Sequence, residues 1–232
     1  ARFNATLAAL EARTSQLQAA AEAERQAHAT TEERERETLW LLARIADYHD
    51  EETGAHVQRI GELSAFMLRL LGQGDEEQQL IRAAAPLHDI GKIGVSESLL
   101  NKPDRLTADE FEVMKTHAAI GHELLGTCHS RYLAEGAEIA LTHHEKWDGS
   151  GYPRGLSGEG IPLSGRVVAI MDVYDALVSD RSYKKVWAAA DAREYIAGQR
   201  GAHFDPRLVD LFLERFDEFA ALRDALADGH AD

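Results

Sequence analysis

Apolar residues recur at helical spacing along most of this chain of 232 residues, and no run alternates apolar and polar residues as a half-buried strand would. One apolar helix face comprises Val57, Ile60, Leu63, Phe66, Met67, Leu70 and Leu71. Gly72 marks the end of that helix, and Thr107 with Glu110 forms a capping-box signature at the start of another. Further helices are predicted over residues 75–87, 132–143, 165–179, 191–199 and 206–226. The pattern predicts an all-α fold, a multi-helix bundle.

Helix-breaking residues are concentrated in one segment. Residues 146–165 contain six glycines together with Pro153 and Pro162. This composition predicts a long structured loop in place of a helix. Long loops inside compact domains are usually functional or disordered, and this one lies between two segments rich in potential metal ligands. We therefore expect it to border a functional site.

The first 38 residues differ from the rest in composition. They are rich in Ala, Glu, Arg and Gln and contain neither Pro nor Gly, which favours a long exposed helix. A weak coiled-coil seam comprises Phe3, Leu7, Leu10, Thr14, Leu17 and Ala21. The segment is either a dimerising signalling helix that follows an absent regulatory domain or a solvated connector. Because the chain begins at Ala1 inside this helix, we expect a fragment. We predict two domains, residues 1–38 and 39–232.

Charge and cysteine content disfavour several classes of partner. The formal net charge of -15 argues against binding to long DNA or RNA and to anionic lipid. No apolar run approaches the about 18 residues that a membrane-spanning helix needs, so no membrane contact is expected. The single cysteine, Cys128, can form neither an internal disulfide nor a thiolate metal cage. These features predict a soluble, cytoplasmic protein that holds any metal through other ligands.

Two pairs of potential metal ligands occur in the first half of the chain. His56 follows Glu52 by four residues, so on one helix both side chains project from the same face and could reach a common ion. His88 and Asp89 are adjacent and close a strongly apolar helix, after which Gly91 permits a tight turn. These positions are candidates for a metal site.

Three more candidates follow in the second half. His143 and His144 form a doublet at the end of a predicted helix. Asp172 interrupts the apolar run from Val167 to Val173. A carboxylate in such surroundings costs several kcal/mol unless it is paired or bound to a metal. A buried salt bridge or a helix cap is the alternative explanation for Asp172.

Five short runs of residues in this sequence carry a family resemblance. The two main ones are His88-Asp89-Ile90-Gly91-Lys92 and His143-His144-Glu145-Lys146-Trp147-Asp148-Gly149-Ser150-Gly151-Tyr152-Pro153. Shorter ones are Asn101-Lys102-Pro103, Arg105-Leu106-Thr107 and Asp180-Arg181-Ser182-Tyr183-Lys184-Lys185. From about residue 40 to about residue 213, the chain resembles the HD superfamily of metal-dependent phosphohydrolases, and specifically its HD-GYP branch of cyclic di-GMP phosphodiesterases.

The resemblance implies a metal centre that binds two or three divalent ions, with iron or manganese expected. By position, its ligands would be Glu52, His56, His88, Asp89, His117, His143, His144 and Asp172. His117 would otherwise be interpreted as a structural histidine on a helix face. Asp89 is the candidate bridge between two ions, and the presence of Glu52 favours a third. Imidazole and carboxylate ligands without thiolate suit these metals better than structural zinc.

The resemblance also implies roles around the metal centre. Asp89 and Lys92 would be catalytic, and Lys92 would orient or protonate the departing group. Substrate binding would involve Lys92, Arg181, Lys184, Gly151, Tyr152 and Pro153. In the family, the Gly151-Tyr152-Pro153 loop has been associated with contacts to diguanylate cyclase partners. A homodimer would form through the N-terminal helix if the seam pairs.

The expected activity is hydrolysis of cyclic di-GMP to linear pGpG or on to GMP, within a bacterial signalling protein. One alternative is a cyclic dinucleotide sensor or interaction module with slow or no turnover, which the complete ligand set disfavours. A second alternative is an enzyme for another cyclic dinucleotide or a different phosphorylated nucleotide. The intact tripeptide Gly151-Tyr152-Pro153 disfavours that reading.

Overall fold

A computed structural model describes residues 2–47, 54–179 and 186–227. The helices in these residues are α1 (Arg2–Asp47), α2 (Gly54–Leu70), α3 (Asp75–Ala84), α4 (Glu97–Leu100), α5 (Ala108–Gly126), α6 (Arg131–Thr142), α7 (Leu163–Val178), α8 (Ala189–Gly198), α9 (Pro206–Glu214) and α10 (Phe216–Ala227). Short 3-10 segments cover Ala85–Leu87, Ile90–Gly94 and Gly158–Gly160. No strand occurs within the described ranges, which confirms the all-α prediction. None of the described helices is both long and apolar enough to span a bilayer.

The chain divides into two compact units, residues 1–38 and residues 39–232. In the first unit, every side chain from residue 13 to residue 31 is exposed. Leu17, a member of the predicted seam, is 61% exposed, and Arg25 forms an ion pair with Glu22 on the helix surface. Both a dimerising helix and a solvated connector predict such exposure in a single chain.

The second unit is built around α2 and α7. α2 packs against α3, α7 and α10, and α6 packs against α3, α5 and α7. The largest core residues include Ile60 and Met67 of α2 and Tyr174 of α7, which are fully buried. Aromatic rings of α9 and α10 complete this core, with Phe212 and Phe219 5.0 Å apart. Burial of these apolar faces is the main favourable contribution to folding.

The structure corrects two predicted helix boundaries and confirms the start of another helix. The helix expected over residues 75–87 leaves α geometry at Ala84, because Pro86 lacks the N–H that would bond to the carbonyl of Arg82. The capping box of Thr107 and Glu110 is present at the start of α5, as predicted. α7 begins at Leu163, two residues before the expected start.

The helix expected over residues 206–226 is in fact two helices. The break is at Arg215, whose φ of -110° and ψ of 20° depart from helical values. Phe212 before the break and Phe216 after it both contact the ring of Tyr174, at centroid distances of 5.1 and 5.9 Å. Tertiary packing of these rings overrides local helix propensity. No glycine or proline at this point of the sequence marks the break.

Candidate metal centre

Five parts of the second unit contribute side chains to one cluster. They are α2, the turn between the two 3-10 segments that follow α3, α5, the end of α6, and α7. The cluster comprises His56, His88, Asp89, His117, His143, His144 and Asp172. Seven of the eight positions predicted to bind metal are therefore brought together. Glu52, the eighth, lies outside the described residues.

Four of these side chains form a first group of ligand atoms. Asp89, His117, His143 and His144 each place one such atom within 4.8 Å of the others. Oδ1 of Asp89 is 3.3 Å from Nε2 of His117 and 3.5 Å from Nε2 of His143. Both of these histidines are 2% exposed. The geometry suits a single ion held among one carboxylate and three imidazoles.

The other three side chains form a second group. Oδ1 of Asp172 is 3.7 Å from Nε2 of His56 and 3.9 Å from Nε2 of His88. Asp89 lies between the two groups, since its Oδ2 is 3.4 Å from Nε2 of His88 while its Oδ1 faces the first group. One carboxylate thus offers one oxygen to each group, which is the arrangement that a bridging ligand requires.

Hydrogen bonds fix the ring orientation of three histidines in the cluster. Nδ1 of His88 donates to the carbonyl of Ala85 at 3.0 Å, and Nδ1 of His117 donates to that of Met114 at 2.7 Å. Nδ1 of His143 lies 3.0 Å from the carbonyl of Ala140. A carbonyl can only accept, so Nδ1 carries the proton and Nε2 keeps its lone pair for a metal.

The chemistry of the clustered side chains suits a divalent metal ion. Among the described residues, Nε2 of His117, Nε2 of His143 and Oδ1 of Asp89 are buried without a hydrogen-bond partner. Buried polar atoms are normally satisfied, so atoms that converge in this way point to a ligand. Nitrogen and oxygen donors without thiolate suit first-row divalent metals.

Electrostatics favour the protonation states that a metal requires. Burial lowers the pKa of His144 well below its ordinary value, and the neighbouring imidazoles of His143 and His117 lower it further. Burial alone would raise the pKa of Asp89, but Lys92 and His88 lower it more, so the carboxyl stays ionised. Metal ligation needs neutral imidazole and ionised carboxylate.

Of the predicted substrate-binding residues, Lys92, Gly151, Tyr152 and Pro153 lie within the described part of the chain. Nζ of Lys92 lies 2.7 Å from Oδ2 of Asp89, so its charge is at the edge of the cluster. The ring of Tyr152 lies 4.7 Å from that of His144, and burial and the charge of Asp89 raise its pKa. Arg181 and Lys184 lie outside the described residues.

Gly151 is required by its surroundings. A Cβ at this position would lie 2.3 Å from the backbone nitrogen of Lys146 and 2.6 Å from the carbonyl oxygen of His144. No side chain fits so close to the backbone. Gly151 thereby lets the loop approach the histidine doublet and places Tyr152 beside His144, while Pro153 is exposed.

Sequence reasoning gave no role to Glu145, which follows the doublet. Its side chain is only 2% exposed and accepts hydrogen bonds from the backbone N–H of Arg154 at 2.7 Å and of Leu156 at 3.0 Å. A carboxylate directly before a glycine-rich loop is the signal that could have revealed it, because such loops need acceptors for their backbone groups. Glu145 thus anchors the loop that carries Tyr152.

We expect Glu145→Ala to destabilise the fold by about 2 kcal/mol, because two hydrogen bonds to a charged acceptor are lost. In thermal unfolding this corresponds to a decrease in Tm of roughly 4–8 °C for a domain of this size. Glu145→Gln keeps one acceptor and should lose less. Glu159→Ala, an exposed carboxylate in the same loop, is the matched control. Equal Tm values for Glu145→Ala and Glu159→Ala would contradict the anchoring role of Glu145.

Comparisons with known proteins identify relatives of this chain. The HD domain family profile matches residues 40–208. The chain is 52% identical over 182 residues to the cyclic di-GMP phosphodiesterase response regulator RpfG of Xanthomonas campestris, covering 78% of this chain and 48% of that protein. It is 45% identical over 196 residues to 3'3'-cGAMP-specific phosphodiesterase 2 of Vibrio cholerae, covering 84% of this chain and 38% of that one.

A third relative is a cyclic di-GMP phosphodiesterase of Thermotoga maritima, 46% identical over 178 residues, with 77% of this chain and 48% of the relative covered. The chain therefore spans less than half the length of each of these three proteins. Among solved structures, the cyclic GMP-AMP specific phosphodiesterase V-cGAP3 of V. cholerae aligns with a TM-score of 0.64 at 20% identity, covering 84% of this chain and 51% of that one. That alignment supports the fold.

Proposed function

The chain belongs to the HD domain family, in its HD-GYP branch, and we propose that it hydrolyses cyclic di-GMP to linear pGpG or on to GMP. The position of Asp89 carries the proposal, because its two oxygens face two separate groups of candidate metal ligands. Phosphodiester hydrolysis is the chemistry for which such paired sites are suited. A sensor without turnover needs a nucleotide pocket but no such paired ligands.

We propose that the centre binds two or three divalent ions, with iron or manganese as the metal. The first group would hold one ion, the second group another, and Glu52 would contribute to a third. Three carboxylates against two or three dications leave the site cationic, so an anionic nucleotide can bind although the chain has a net charge of -15. When bound, the ions lower the pKa of water and offset charge on the phosphoryl oxygens.

The chain's own residues would bind and orient the dinucleotide. Lys92 stands beside Asp89, where its ammonium group can pair with a phosphate oxygen or supply a proton to the departing alkoxide. A tyrosine hydroxyl is protonated at neutral pH because its ordinary pKa is about 10, and burial raises the pKa of Tyr152 further, so its hydroxyl can donate to the substrate. The guanidinium group of Arg181 and the ammonium group of Lys184 would contact phosphates or the acceptor edge of guanine.

The test is an anaerobic reconstitution of the purified chain with ferrous iron or manganese. Bound metal is quantified, and cyclic di-GMP and 3'3'-cGAMP are each followed by chromatography, since relatives named for both exist. Linear dinucleotide or GMP formed only by the metal-loaded chain, and faster from cyclic di-GMP, is the expected result. Full metal occupancy with bound but uncleaved nucleotide would favour the sensor, and faster cleavage of cGAMP would change the substrate.

Arg181→Ala separates substrate binding from metal binding in the same assay. The variant should raise KM for cyclic di-GMP and leave the metal content unchanged. Lys185→Ala is its matched control, because Lys185 is expected to be an ordinary surface cation. Loss of metal in Arg181→Ala would contradict the assignment of Arg181 to substrate binding.

A homodimer through residues 1–38 is also proposed, with the predicted seam as its interface. Removing these residues should convert a dimer into a monomer in sedimentation velocity. Leu10→Lys with Leu17→Lys should do the same, because charges replace the seam contacts, while Gln18→Lys, off the seam, should not. An unchanged oligomeric state after removal of the segment would rule out the coiled coil.

We further propose a cytoplasmic setting and a diguanylate cyclase partner for the Gly151-Tyr152-Pro153 loop. Of the three residues only Pro153 is exposed, so a docked partner would contact Pro153 and the exposed Arg154 beside it. Cosedimentation with a purified diguanylate cyclase, and its loss in Pro153→Ala with Arg154→Ala, would support this contact.

A further inference from the structure

His56 differs from the other oriented histidines of the cluster in what holds its Nδ1. Nδ1 of His88, His117 and His143 faces backbone carbonyls, whereas Nδ1 of His56 lies 2.8 Å from the carboxylate oxygen Oδ2 of Asp175. A carboxylate partner makes Nε2 a stronger metal ligand than a carbonyl partner does, and it fixes the tautomer. Among the described histidines of the cluster, His56 is therefore the one whose Nδ1 is held by a carboxylate, whereas His88 of the same group is held by a carbonyl.

Asp175 is a fully buried carboxylate with a dense set of partners. Nε of Arg59 donates to its Oδ1 at 2.5 Å, and a terminal nitrogen of Arg59 donates to its Oδ2 at 2.8 Å. The hydroxyl of Ser179 lies 3.3 Å from Oδ2. Arg59 thus contacts both oxygens of a carboxylate that is 0% exposed, and it shares Oδ2 with the imidazole of His56.

A second arginine reaches this carboxylate from α10. Nε of Arg223 lies 3.4 Å from Oδ1 of Asp175. A terminal nitrogen of Arg223 donates to the carbonyl of Val178 at 2.6 Å and lies 3.2 Å from the hydroxyl of Ser179. Asp175 is thus held by α2 through Arg59 and by α10 through Arg223, while its own helix, α7, carries the metal-ligand candidate Asp172.

We propose that Asp175 is the positioning residue for the ion held by His56, His88 and Asp172, and that Arg59 and Arg223 hold it in place. This inference rests on the metal centre proposed above. Asp175 contacts His56, whereas Nδ1 of His117 and Nδ1 of His143 in the first group face backbone carbonyls, so its effect is confined to one of the two ions. The carboxylate of Asp175 and the ring of His56 form the same carboxylate–histidine–metal unit that orients ligands in other metal sites.

Manganese titration of the metal-free full chain, followed by calorimetry and electron paramagnetic resonance, tests this. The wild-type chain should bind manganese in two classes of site and give the signal of two coupled ions. Asp175→Asn, which keeps the size of the side chain, should weaken one class by about 10- to 100-fold and leave the other unchanged. The coupled signal should then require correspondingly more manganese.

Asp205→Asn is the matched control. Asp205 is also a buried carboxylate, 3% exposed, paired with Arg166 at 2.5 Å, but it caps α9 and belongs to neither ligand group. Its substitution should lower stability and keep both classes of site. Arg223→Gln should weaken the same class as Asp175→Asn but by less, because Arg59 still holds both oxygens, and it carries the test if Asp175→Asn fails to fold.

Two results would overturn the role of Asp175. One is an Asp175→Asn chain with both classes unchanged, and the other is an equal weakening of both classes, which would indicate a general loss of structure. A wild-type chain that binds no manganese would overturn the metal centre and this inference with it. Intact binding in two classes without hydrolysis of cyclic di-GMP would overturn only the proposed activity.

Discussion

Replacing Asp89 with Ala should abolish turnover of cyclic di-GMP and lower the metal content of the chain. Among the described residues, Asp89 is the carboxylate that faces both groups of ligands, with Oδ1 3.3 Å from His117 and Oδ2 3.4 Å from His88. Charge stabilisation by a bound metal is worth several kcal/mol, so its loss lowers the rate by roughly 10³-fold or more. Metal analysis of the purified chain and chromatography of the nucleotides measure the two effects.

Two further variants make the Asp89 result specific. Asp89→Asn keeps the size of the side chain but removes its charge, so it should show nearly the same loss of turnover. Asp104→Ala removes an exposed carboxylate from a loop and should behave as the wild-type chain. Hydrolysis that persists in Asp89→Ala would remove Asp89 from the mechanism. Full metal content with no hydrolysis would mean that Asp89 acts on the substrate and does not hold the metal.

Much of the fold could be predicted because helices are encoded locally. The spacing of apolar residues located α2, α6, α7 and α8, and the Thr107–Glu110 capping box located the start of α5. The predicted helix boundaries were wrong where contacts between residues distant in the sequence determine the backbone conformation. The break at Arg215 follows from ring packing between Phe212, Phe216 and Tyr174, and no local residue marks it.

The candidate site shows the same division. His88, Asp89 and Asp172 drew attention because polar side chains interrupt apolar helices, and the structure brings them together. His117 was identified only through the family resemblance, because a single histidine on a helix face carries no signal of its own. The metal roles of these residues remain predictions. The Asp89 variants test one of them directly, and Asp175→Asn tests the group formed by His56, His88 and Asp172.

Asp175 illustrates what sequence spacing cannot provide. It stands three residues after Asp172 on the same apolar helix, so a second buried carboxylate could have been noticed. Its partner Arg59 is 116 residues away in the chain. No periodicity relates two residues so far apart, and only the packing of α2 against α7 brings them together. The chemistry of the site thus depends on contacts that the fold creates.

Close packing of backbone on backbone has the same origin, and Gly91 is its clearest case. Gly91 lies in the 3-10 segment Ile90–Gly94, which packs against α5. A Cβ at this position would lie 1.9 Å from the carbonyl oxygen of His117 and 2.5 Å from the backbone nitrogen of Gly121. Both are backbone atoms of a helix, so neither can move aside as a flexible side chain could.

We therefore expect Gly91→Ala to separate this segment from α5 and to destabilise the fold by about 3 kcal/mol or more, as severe overpacking does. At about 2–4 °C per kcal/mol, Tm should fall by roughly 6–12 °C or more in calorimetry. Metal binding should weaken with it, because Asp89 and His117 lie on the two surfaces that are forced apart. Gly126→Ala, in α5 with open space around it, should melt at or slightly above the wild-type temperature. If Gly91→Ala unfolds at the same temperature as Gly126→Ala and binds metal fully, the segment Ile90–Gly94, which follows Asp89, does not pack on α5 as described.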